Sequence, residues 1–327
     1  MRGKHRVARV ITPWWAGYDP RSTMVPPASP IPPAPKSALV IANPIAGAGR
    51  GERLAKELTA ELESAGLRVE LKLTTARGDA RKFAAGIAAD ALLCVGGDGT
   101  VNEVLHGLQN RDVPVGIMPL GTANVLAVDL SLSSDARIAA RTVLEGRTTR
   151  LDTALVNGEL SFLAVGVGFD AAAVREVELR RRGPISKLTY VGAGFRALWS
   201  YVEPVLEVEI DGVRAPGTFG WILVSNVIHY AGIFRLSPDR ELGDGLWEVY
   251  LFPRAARRHL ASHGLRALTG HLPGGSVERR QARHVMIRSA SPVAVHVDGD
   301  FRGQTPLEIS VSGPRFRIFC PARHARD

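Results

Sequence analysis

The residues best suited to chemistry lie in a glycine-rich turn, Gly-Gly-Asp-Gly-Thr, that runs from Gly96 to Thr100. The turn follows the apolar segment 91–95 and precedes a segment with helical periodicity that starts at Val101. Backbone N–H groups at such a strand–turn–helix junction bind phosphate, and the helix N-terminus adds a favourable partial charge. Asp98 places a carboxylate in the same turn, where it is suited to hold a nucleotide's metal ion or a hydroxyl group.

Two further turns have a similar character. Asn43 and Pro44 open a glycine-rich loop that includes Gly47, and Thr122 lies in a turn after another apolar segment. A connection that merely needs unusual φ angles would explain the loop at 43–51 equally well. The loop is not a Walker motif, because no Gly-Lys-Ser/Thr follows, and it lacks the G-x-G-x-x-G spacing of dinucleotide folds. Three such turns at one edge of a sheet nevertheless favour nucleotide binding.

The segments around these turns alternate between predicted strands and predicted helices. This β-α-β-α-β order predicts a parallel sheet with helices on both faces. Ligands of such sheets bind at the carboxyl ends of the strands, where all the glycine turns fall. Strands are expected at 38–42, 69–73, 91–95 and 113–119, and helices at 52–65 and 79–89.

Short β-rich segments dominate after about residue 147, and their spacing predicts an antiparallel sandwich. Strands are expected at 152–156, 161–166, 205–210, 219–224, 246–252, 284–289, 293–297 and 307–311, and helices at 171–181 and 254–268. The predicted organisation is a basic, proline-rich, poorly ordered tail at 1–36, an α/β domain at 37–147 and a β-sandwich domain at 148–311, with 312–327 packing back on the first domain.

The composition favours an anionic partner. The chain of 327 residues has a formal net charge of +9. Such a surplus suits a nucleotide, a nucleic acid or an acidic membrane surface without choosing among them. The two cysteines, Cys94 and Cys320, have no C-x-x-C spacing, which argues against a disulfide framework or a zinc site and suits a reducing compartment. No apolar run reaches the ~18 residues of a membrane span, and no signal peptide is predicted.

Two Asp-Gly pairs stand out in the second half, at Asp244 and at Asp298. Each pair joins strand-like segments, so each fits a hairpin turn. From the residues alone, the hairpin is the better interpretation of both pairs.

The chain resembles the diacylglycerol kinase catalytic family, which includes bacterial lipid kinases and the sphingosine and ceramide kinases. NAD kinases and phosphofructokinases share the Gly-Gly-Asp-Gly-Thr element, whereas its continuation and the Gly121-Thr122-x-Asn124 turn are more particular to lipid kinases. The resemblance spans residues 39 to about 320. It rests on Asn43-Pro44 with Gly47, Gly96–Glu103, Pro119 with Gly121-Thr122 and Asn124, and Gly166–Ala171, and more weakly on Asn226, Ala231-Gly232, Asp244–Leu246 and Asp298–Asp300.

The resemblance implies roles for these residues. Asp298 would be the general base on a lipid hydroxyl, and a structural magnesium ion would be held by Asp244, the Leu246 carbonyl and Glu241. Family members usually have Glu at the position of Asp300. ATP would be bound by Asn43, Pro44, Gly47, Thr75 or its neighbour Thr74, Gly96, Gly97, Asp98, Gly99, Thr100, Asn102, Glu103, Thr122 and Asp300.

We therefore expect an ATP- and magnesium-dependent lipid kinase that converts diacylglycerol, or a similar lipid, into its phosphate. The alternatives are a soluble-metabolite kinase of the NAD kinase type and a non-catalytic nucleotide- or lipid-binding regulator. Arginine clusters at 180–182, 254–258 and 279–283 would hold a cytoplasmic enzyme peripherally on an anionic membrane, or would form an ordinary solvated face. Nucleic-acid binding is not expected, because no aromatic residues interleave with these charges. Whether the protein forms a homodimer is left open.

Overall fold

The structure is a computed structural model that describes residues 35–179, 187–230, 234–236, 241–268, 272 and 274–322. Most of the predicted tail, the cluster at 180–182 and the matched pair Ala231-Gly232 lie outside the described residues.

The N-terminal sheet has six strands: β1 (Ser37–Ala42), β2 (Arg68–Leu73), β3 (Ala91–Gly96), β4 (Val115–Pro119), β5 (Thr148–Leu151) and β20 (Phe316–Phe319). Their order is β2-β1-β3-β4-β20-β5, and all neighbours pair in parallel except β20 with β5. Strand β3 is buried along its whole length, as expected for a strand covered on both faces. The predicted parallel α/β sheet is confirmed.

Helices cover both faces of this sheet. Alternate residues of β1 point to opposite sides, so that Ile41 packs with the helices of one face and Val40 with those of the other. The predicted helix at 79–89 ends early, at Ala85, and Gly86 follows as its C-cap. The helices are α1 (Ala46–Gly49), α2 (Gly51–Ser64), α3 (Asp79–Ala85), α4 (Asp98–Gly107), α5 (Val125–Asp129) and α6 (Ala136–Leu144).

The second half forms an antiparallel sandwich, as predicted. The front sheet has the order β15-β14-β11-β8-β17-β18, and the back sheet has the order β10-β9-β16-β19-β6-β7. Apolar residues from both sheets form the core between them. The strands are β6 (Ala154–Val156), β7 (Glu159–Ser161), β8 (Ala164–Val167), β9 (Leu206–Ile210), β10 (Val213–Arg214), β11 (Trp221–Ser225), β14 (Trp247–Phe252), β15 (Glu278–Ala282), β16 (His284–Ser289), β17 (Ala294–Val297), β18 (Asp300–Gln304) and β19 (Leu307–Ser310).

Three helices and a small hairpin complete this half. The helices are α7 (Phe169–Leu179), α8 (Lys187–Ser200) and α9 (Arg257–Leu268), and the hairpin consists of β12 (His229–Tyr230) and β13 (Phe234–Arg235). Helix α8 was not predicted from the sequence. A second apolar cluster covers the outer face of the front sheet; its buried members are Ala164, Leu223, Leu236, Tyr250, Phe252, Leu272 and Val277.

Two predicted boundaries change. The strand expected at 161–166 is split into β7 and β8, because the backbone N–H groups of residues 162–164 turn to bind the Asp298 carboxylate. The domain boundary expected after residue 147 falls later, because β5 pairs with β20 inside the N-terminal sheet. Strand β20 in turn lies next to β4, and its Phe316 and Ile318 side chains are part of that domain's core.

Candidate active site

Four predicted nucleotide contacts lie just beyond the ends of four neighbouring strands. Asn43 follows β1, Gly97 follows β3, and Thr75 and Thr122 lie two or three residues beyond the ends of β2 and β4. Because these strands are parallel, the structure brings the four residues to one edge of the sheet.

The turns after β3 and β4 touch backbone to backbone. A Cβ atom added to Gly97 would lie 2.9 Å from the Gly121 Cα, and one added to Gly121 would lie 2.6 Å from the Gly97 Cα. Both positions therefore require glycine. Asn124, which has a left-handed φ of 49°, closes the turn after β4. Its Oδ1 accepts from the Gly121 N–H at 2.7 Å, and its Nδ2 donates to the Gly121 carbonyl at 2.8 Å.

The turns after β1 and β2 are also held by local hydrogen bonds. The Asn43 Oδ1 accepts from the Ile45 N–H at 3.2 Å, and Gly47 has a left-handed φ of 62°. In the turn after β2, the Asp79 Oδ2 accepts from the N–H and the hydroxyl of Thr75 at 2.9 and 2.8 Å. These bonds lower the pKa of the Asp79 carboxyl. The Thr75 hydroxyl is thus engaged by Asp79, the first residue of α3, in this structure.

Asp98 sits at the start of α4, in the turn itself. Its Oδ1 accepts from the Val125 N–H at 3.0 Å, which joins the two phosphate-type turns. Burial raises the pKa of the Asp98 carboxyl to about 6, against the opposing effect of backbone hydrogen bonds, and the nearby Asp298 charge adds to the rise. Thr100 packs over Gly96, where a Cβ atom would lie only 2.6 Å from the threonine hydroxyl.

Asp298 is both a hairpin residue and a partly buried carboxylate. Asp298 and Gly299 have φ values of 51° and 85°, and they connect β17 to β18, so the hairpin interpretation is correct. The carboxylate turns inward at the same time. Its Oδ1 accepts from the Ser161 hydroxyl at 2.8 Å and from the Leu163 and Ala164 N–H groups at 2.9 and 3.0 Å.

The other oxygen of Asp298 has fewer and longer hydrogen bonds. Oδ2 accepts from the Phe162 N–H at 3.1 Å and from the Asn102 Nδ2 at 3.4 Å. Burial raises the pKa of the Asp298 carboxyl, and the hydrogen bonds from residues 161–164 oppose that rise. Oδ2 is therefore the oxygen better able to accept a further hydrogen bond, and it faces α4, the helix that begins at Asp98.

Asp300 does not join this enclosed arrangement. Its side chain is 61% exposed and lies 3.8 Å from an Arg77 guanidinium nitrogen and 3.5 Å from one of Arg302. Arg77 is two residues beyond Thr75, so Asp300 nevertheless stands beside the sheet edge that carries the predicted nucleotide contacts.

The predicted magnesium ligands do not form a closed metal site. Among the residues the structure describes, no three His, Cys, Asp or Glu side chains group together to hold a metal. The Asp244 Oδ1 accepts from the Leu246 N–H at 2.9 Å. A positive charge is already present beside this turn, because the Arg315 Nε lies 2.6 Å from the buried Asp152 carboxylate, which also accepts from the Gly245 N–H. A magnesium ion held by Asp244 and the Leu246 carbonyl stays a prediction.

A buried cluster near Asp298 escaped the sequence reasoning. The Tyr230 hydroxyl lies 2.9 Å from both the Asp170 Oδ2 and the His296 Nε2, and the latter two atoms are 3.1 Å apart. His296 lies in β17, two residues before the hairpin residue Asp298. That spacing, together with Asp170 inside the matched Gly166–Ala171 motif, was the available signal.

Asp129 also went unnoticed in the sequence. Its side chain is 2% exposed and lies 2.6 Å from the His229 Nδ1. It also accepts from the N–H groups of Ile228 and His229 at 2.6 and 3.1 Å. Burial raises the pKa of the Asp129 carboxyl, and these bonds oppose the rise. The contact ties α5 of the first domain to β12 of the second half.

Two of the arginines assigned to a membrane-facing cluster have acidic partners. Arg279 Nε lies 3.2 Å from the fully buried Glu248, and Arg280 Nε lies 2.7 Å from Glu278. Within the described ranges, no helix is both long and apolar enough to cross a membrane.

Comparisons with known proteins match both halves of the chain. Residues 37–156 match the model of the diacylglycerol kinase catalytic domain, and residues 163–320 match that of the YegS C-terminal NAD kinase beta sandwich-like domain. The chain is 28% identical over 280 residues to a diacylglycerol kinase of Bacillus subtilis (strain 168), covering 84% of this chain and 92% of that one. It is 27% identical over 293 residues to a diacylglycerol kinase of Staphylococcus saprophyticus, covering 88% and 96% of the two chains.

The fold also matches a solved structure. A diacylglycerol kinase from Bacillus anthracis str. Sterne superposes with a TM-score of 0.71 at 20% identity, over 88% of this chain and 98% of that chain.

Proposed function

Because the chain belongs to the diacylglycerol kinase family, we propose that it transfers the γ-phosphate of ATP to the hydroxyl of a lipid, with diacylglycerol as the first candidate acceptor. Membership of a kinase family supports phosphoryl transfer from ATP, and the identity of the acceptor is the finer part of the proposal.

One observation carries the proposal. Asn102 belongs to the helix that begins at the Asp98 turn, and its amide reaches the Asp298 carboxylate. The donor turn and the proposed base therefore face each other across a short distance. Phosphoryl transfer needs this arrangement, because the attacking hydroxyl must lie in line with the transferred phosphoryl group while a positioned group accepts its proton.

Each part of the site has a defined task in this reaction. The N–H groups of the turns after β1, β3 and β4 would hold the ATP phosphates. Asp298 would accept the proton of the acceptor hydroxyl through Oδ2, since three strong donors already occupy Oδ1. ATP is expected to arrive as its magnesium complex, which neutralises charge on the phosphates.

The surroundings of Asp298 support an apolar acceptor. Ala164 donates its N–H to Asp298 and is also a buried member of the apolar cluster on the outer face of the front sheet. Tyr230 packs against the same cluster. A lipid whose hydroxyl reached Asp298 would thus find apolar side chains directly beside it.

A labelling experiment tests the proposal. Purified protein would be incubated with γ-labelled ATP, magnesium and vesicles containing diacylglycerol, ceramide or sphingosine, with NAD and sugar phosphates as soluble acceptors. Labelled phosphatidic acid is the expected product. Labelled NAD or sugar phosphate would favour a soluble-metabolite kinase, and ATP binding without transfer to any acceptor would favour a regulator.

We further propose that the protein works from the water side of an anionic membrane. The support is the net charge of +9, since each Lys or Arg near an anionic surface contributes about 1 kcal/mol. Sedimentation with phosphatidylglycerol vesicles should fall as salt increases, because screening weakens the attraction. Salt-independent binding would contradict an electrostatic contact.

A further inference from the structure

The two residues of strand β12 bind different halves of the molecule. Adjacent residues of a strand point to opposite sides. His229 accordingly reaches Asp129 of the first domain, whereas Tyr230 reaches Asp170 of α7 in the sandwich half. We call His229 and Tyr230 the strap.

On the first-domain side, the strap connects to the nucleotide turn through one short helix. Asp129 is the last residue of α5, and Val125 is its first. The Val125 N–H donates to Asp98 at 3.0 Å. Helix α5 therefore spans the space between the donor carboxylate at one end and the His229 contact at the other.

On the sandwich side, the strap connects to the proposed base through one strand. The Tyr230 hydroxyl lies 2.9 Å from the His296 Nε2, and His296 is 2% exposed. His296 and Asp298 are separated by one residue, Val297, at the end of β17. Any shift of Tyr230 would thus be passed to the segment that carries Asp298.

We propose that His229 and Tyr230 are positioning residues that set the separation between the Asp98 turn and Asp298. The inference rests on the proposed function, because it assigns Asp298 as the base. Neither side chain needs to touch ATP or the acceptor. Their effect is on the rate of transfer, since a misplacement of about 1 Å in an active site can cost on the order of 100-fold in rate.

Kinetics of matched variants test the proposal. Tyr230→Phe and His229→Ala should each lower kcat by about 10- to 100-fold, while the Kd for ATP stays at the wild-type value. His284→Ala is the control for the histidine, because it removes a His–carboxylate pair of 2.9 Å in the back sheet. Tyr201→Phe is the control for the hydroxyl, which donates to the Gly220 carbonyl at 2.7 Å. Both controls should keep the wild-type kcat.

The variants also separate positioning from general stability. If Tyr230→Phe and His229→Ala lose no more kcat than their controls, the proposal is overturned. Equal losses of kcat and of thermal stability in strap and control variants would also overturn it. Should His229→Ala not fold, Tyr230→Phe removes a single oxygen atom and still gives the answer.

A distance measurement tests the strap without turnover. Spin labels on cysteines introduced at Lys56 in α2 and Val213 in β10 would report the separation of the two halves; both native cysteines are buried. Tyr230→Phe with His229→Ala should broaden or shift the distance distribution, and an unchanged distribution would overturn the proposal. If the wild-type protein phosphorylates no lipid, the proposed function fails, while this measurement still decides whether the strap holds the halves.

Discussion

Asn102 and Asp298, which are 196 residues apart in the chain, meet with the amide nitrogen of the first 3.4 Å from a carboxylate oxygen of the second. The bond is long, whereas the other hydrogen bonds to Asp298 measure 2.8–3.1 Å. A long contact is easily exchanged for a substrate hydroxyl. The contact thus marks where the acceptor is expected to enter.

Replacing Asp298 by Asn should abolish most of the turnover. The amide cannot accept the hydroxyl proton, and removal of a general base typically costs 10²–10⁴-fold, so we expect kcat to fall by about that factor. One carboxylate oxygen becomes an NH₂ group facing an N–H donor, which should also cost about 1–3 kcal/mol of stability. Ser161→Ala is the matched control: it removes one hydrogen bond to Asp298 but keeps the carboxylate, and it should retain measurable turnover. Near wild-type activity of Asp298→Asn would remove Asp298 as the base.

The free energy of unfolding should depend on pH through the titration of Asp98. Its pKa is raised from 3.8 to about 6 in the folded protein, so the folded state holds this proton more tightly than the unfolded chain. The associated stabilisation is therefore complete below about pH 4 and is lost as the pH rises towards 6. Urea unfolding at several pH values should show the difference in unfolding free energy between wild type and Asp98→Asn falling across this interval.

Asp79, whose pKa shifts on folding in the opposite direction, provides the control for this titration. The pKa of Asp79 is lowered, so its contribution is present above the unfolded value of 3.8 and lost as the pH falls below it. Asp79→Asn should therefore show no fall in this difference between pH 4 and 6: its slope near pH 4 has the opposite sign, and the difference is constant above about pH 5. A constant difference for Asp98→Asn over the same interval would contradict the assignment.

A methyl group at Gly166 should disrupt the cluster beside the base. A Cβ atom there would lie 2.0 Å from the Asp170 Oδ2 and 2.4 Å from the His296 Nε2. We expect Gly166→Ala to lower the free energy of unfolding by about 1–3 kcal/mol, as overpacking usually does, and to reduce kcat. Gly264→Ala should instead stabilise by up to about 1 kcal/mol, because Gly264 lies inside α9 with no atom within 4 Å of the added Cβ. Thermal melts of the two variants should therefore move in opposite directions.

Chelation should leave the melting temperature of the nucleotide-free protein unchanged. The charge beside the Asp244 turn is supplied by Arg315, which pairs with a buried Asp152. Arg315→Met should lower the free energy of unfolding by about 1–3 kcal/mol, because it leaves the buried Asp152 carboxylate without its cation. The half-exposed position of Arg315 keeps this cost moderate. Arg302→Met removes only surface pairs and should cost about 0–1 kcal/mol. A large fall in melting temperature on adding EDTA would show that a resident metal ion does contribute.

The sequence predicted the donor side of the molecule better than the acceptor side. Periodicity and glycine turns are local signals, and they located β1, β3, β4 and the turns that follow them. The Gly97–Gly121 contact, the Asp129–His229 pair and the Tyr230–His296 contact join residues far apart in the chain, and no local pattern reports them. Arg315 is a similar case, since only the folded chain brings it to the turn where a metal ion was expected.

Strand β20 has a consequence for how the protein is made. It is inserted between β4 and β5, yet its residues Phe316–Phe319 follow the strands of the sandwich in the chain. The nascent N-terminal sheet must therefore wait, with two unsatisfied strand edges, until the sandwich strands have been translated. A product truncated before Phe316 would lack this inner strand, and the unpaired edges of β4 and β5 would be open to pairing with other chains. The two halves consequently do not mature in the order in which they are synthesised.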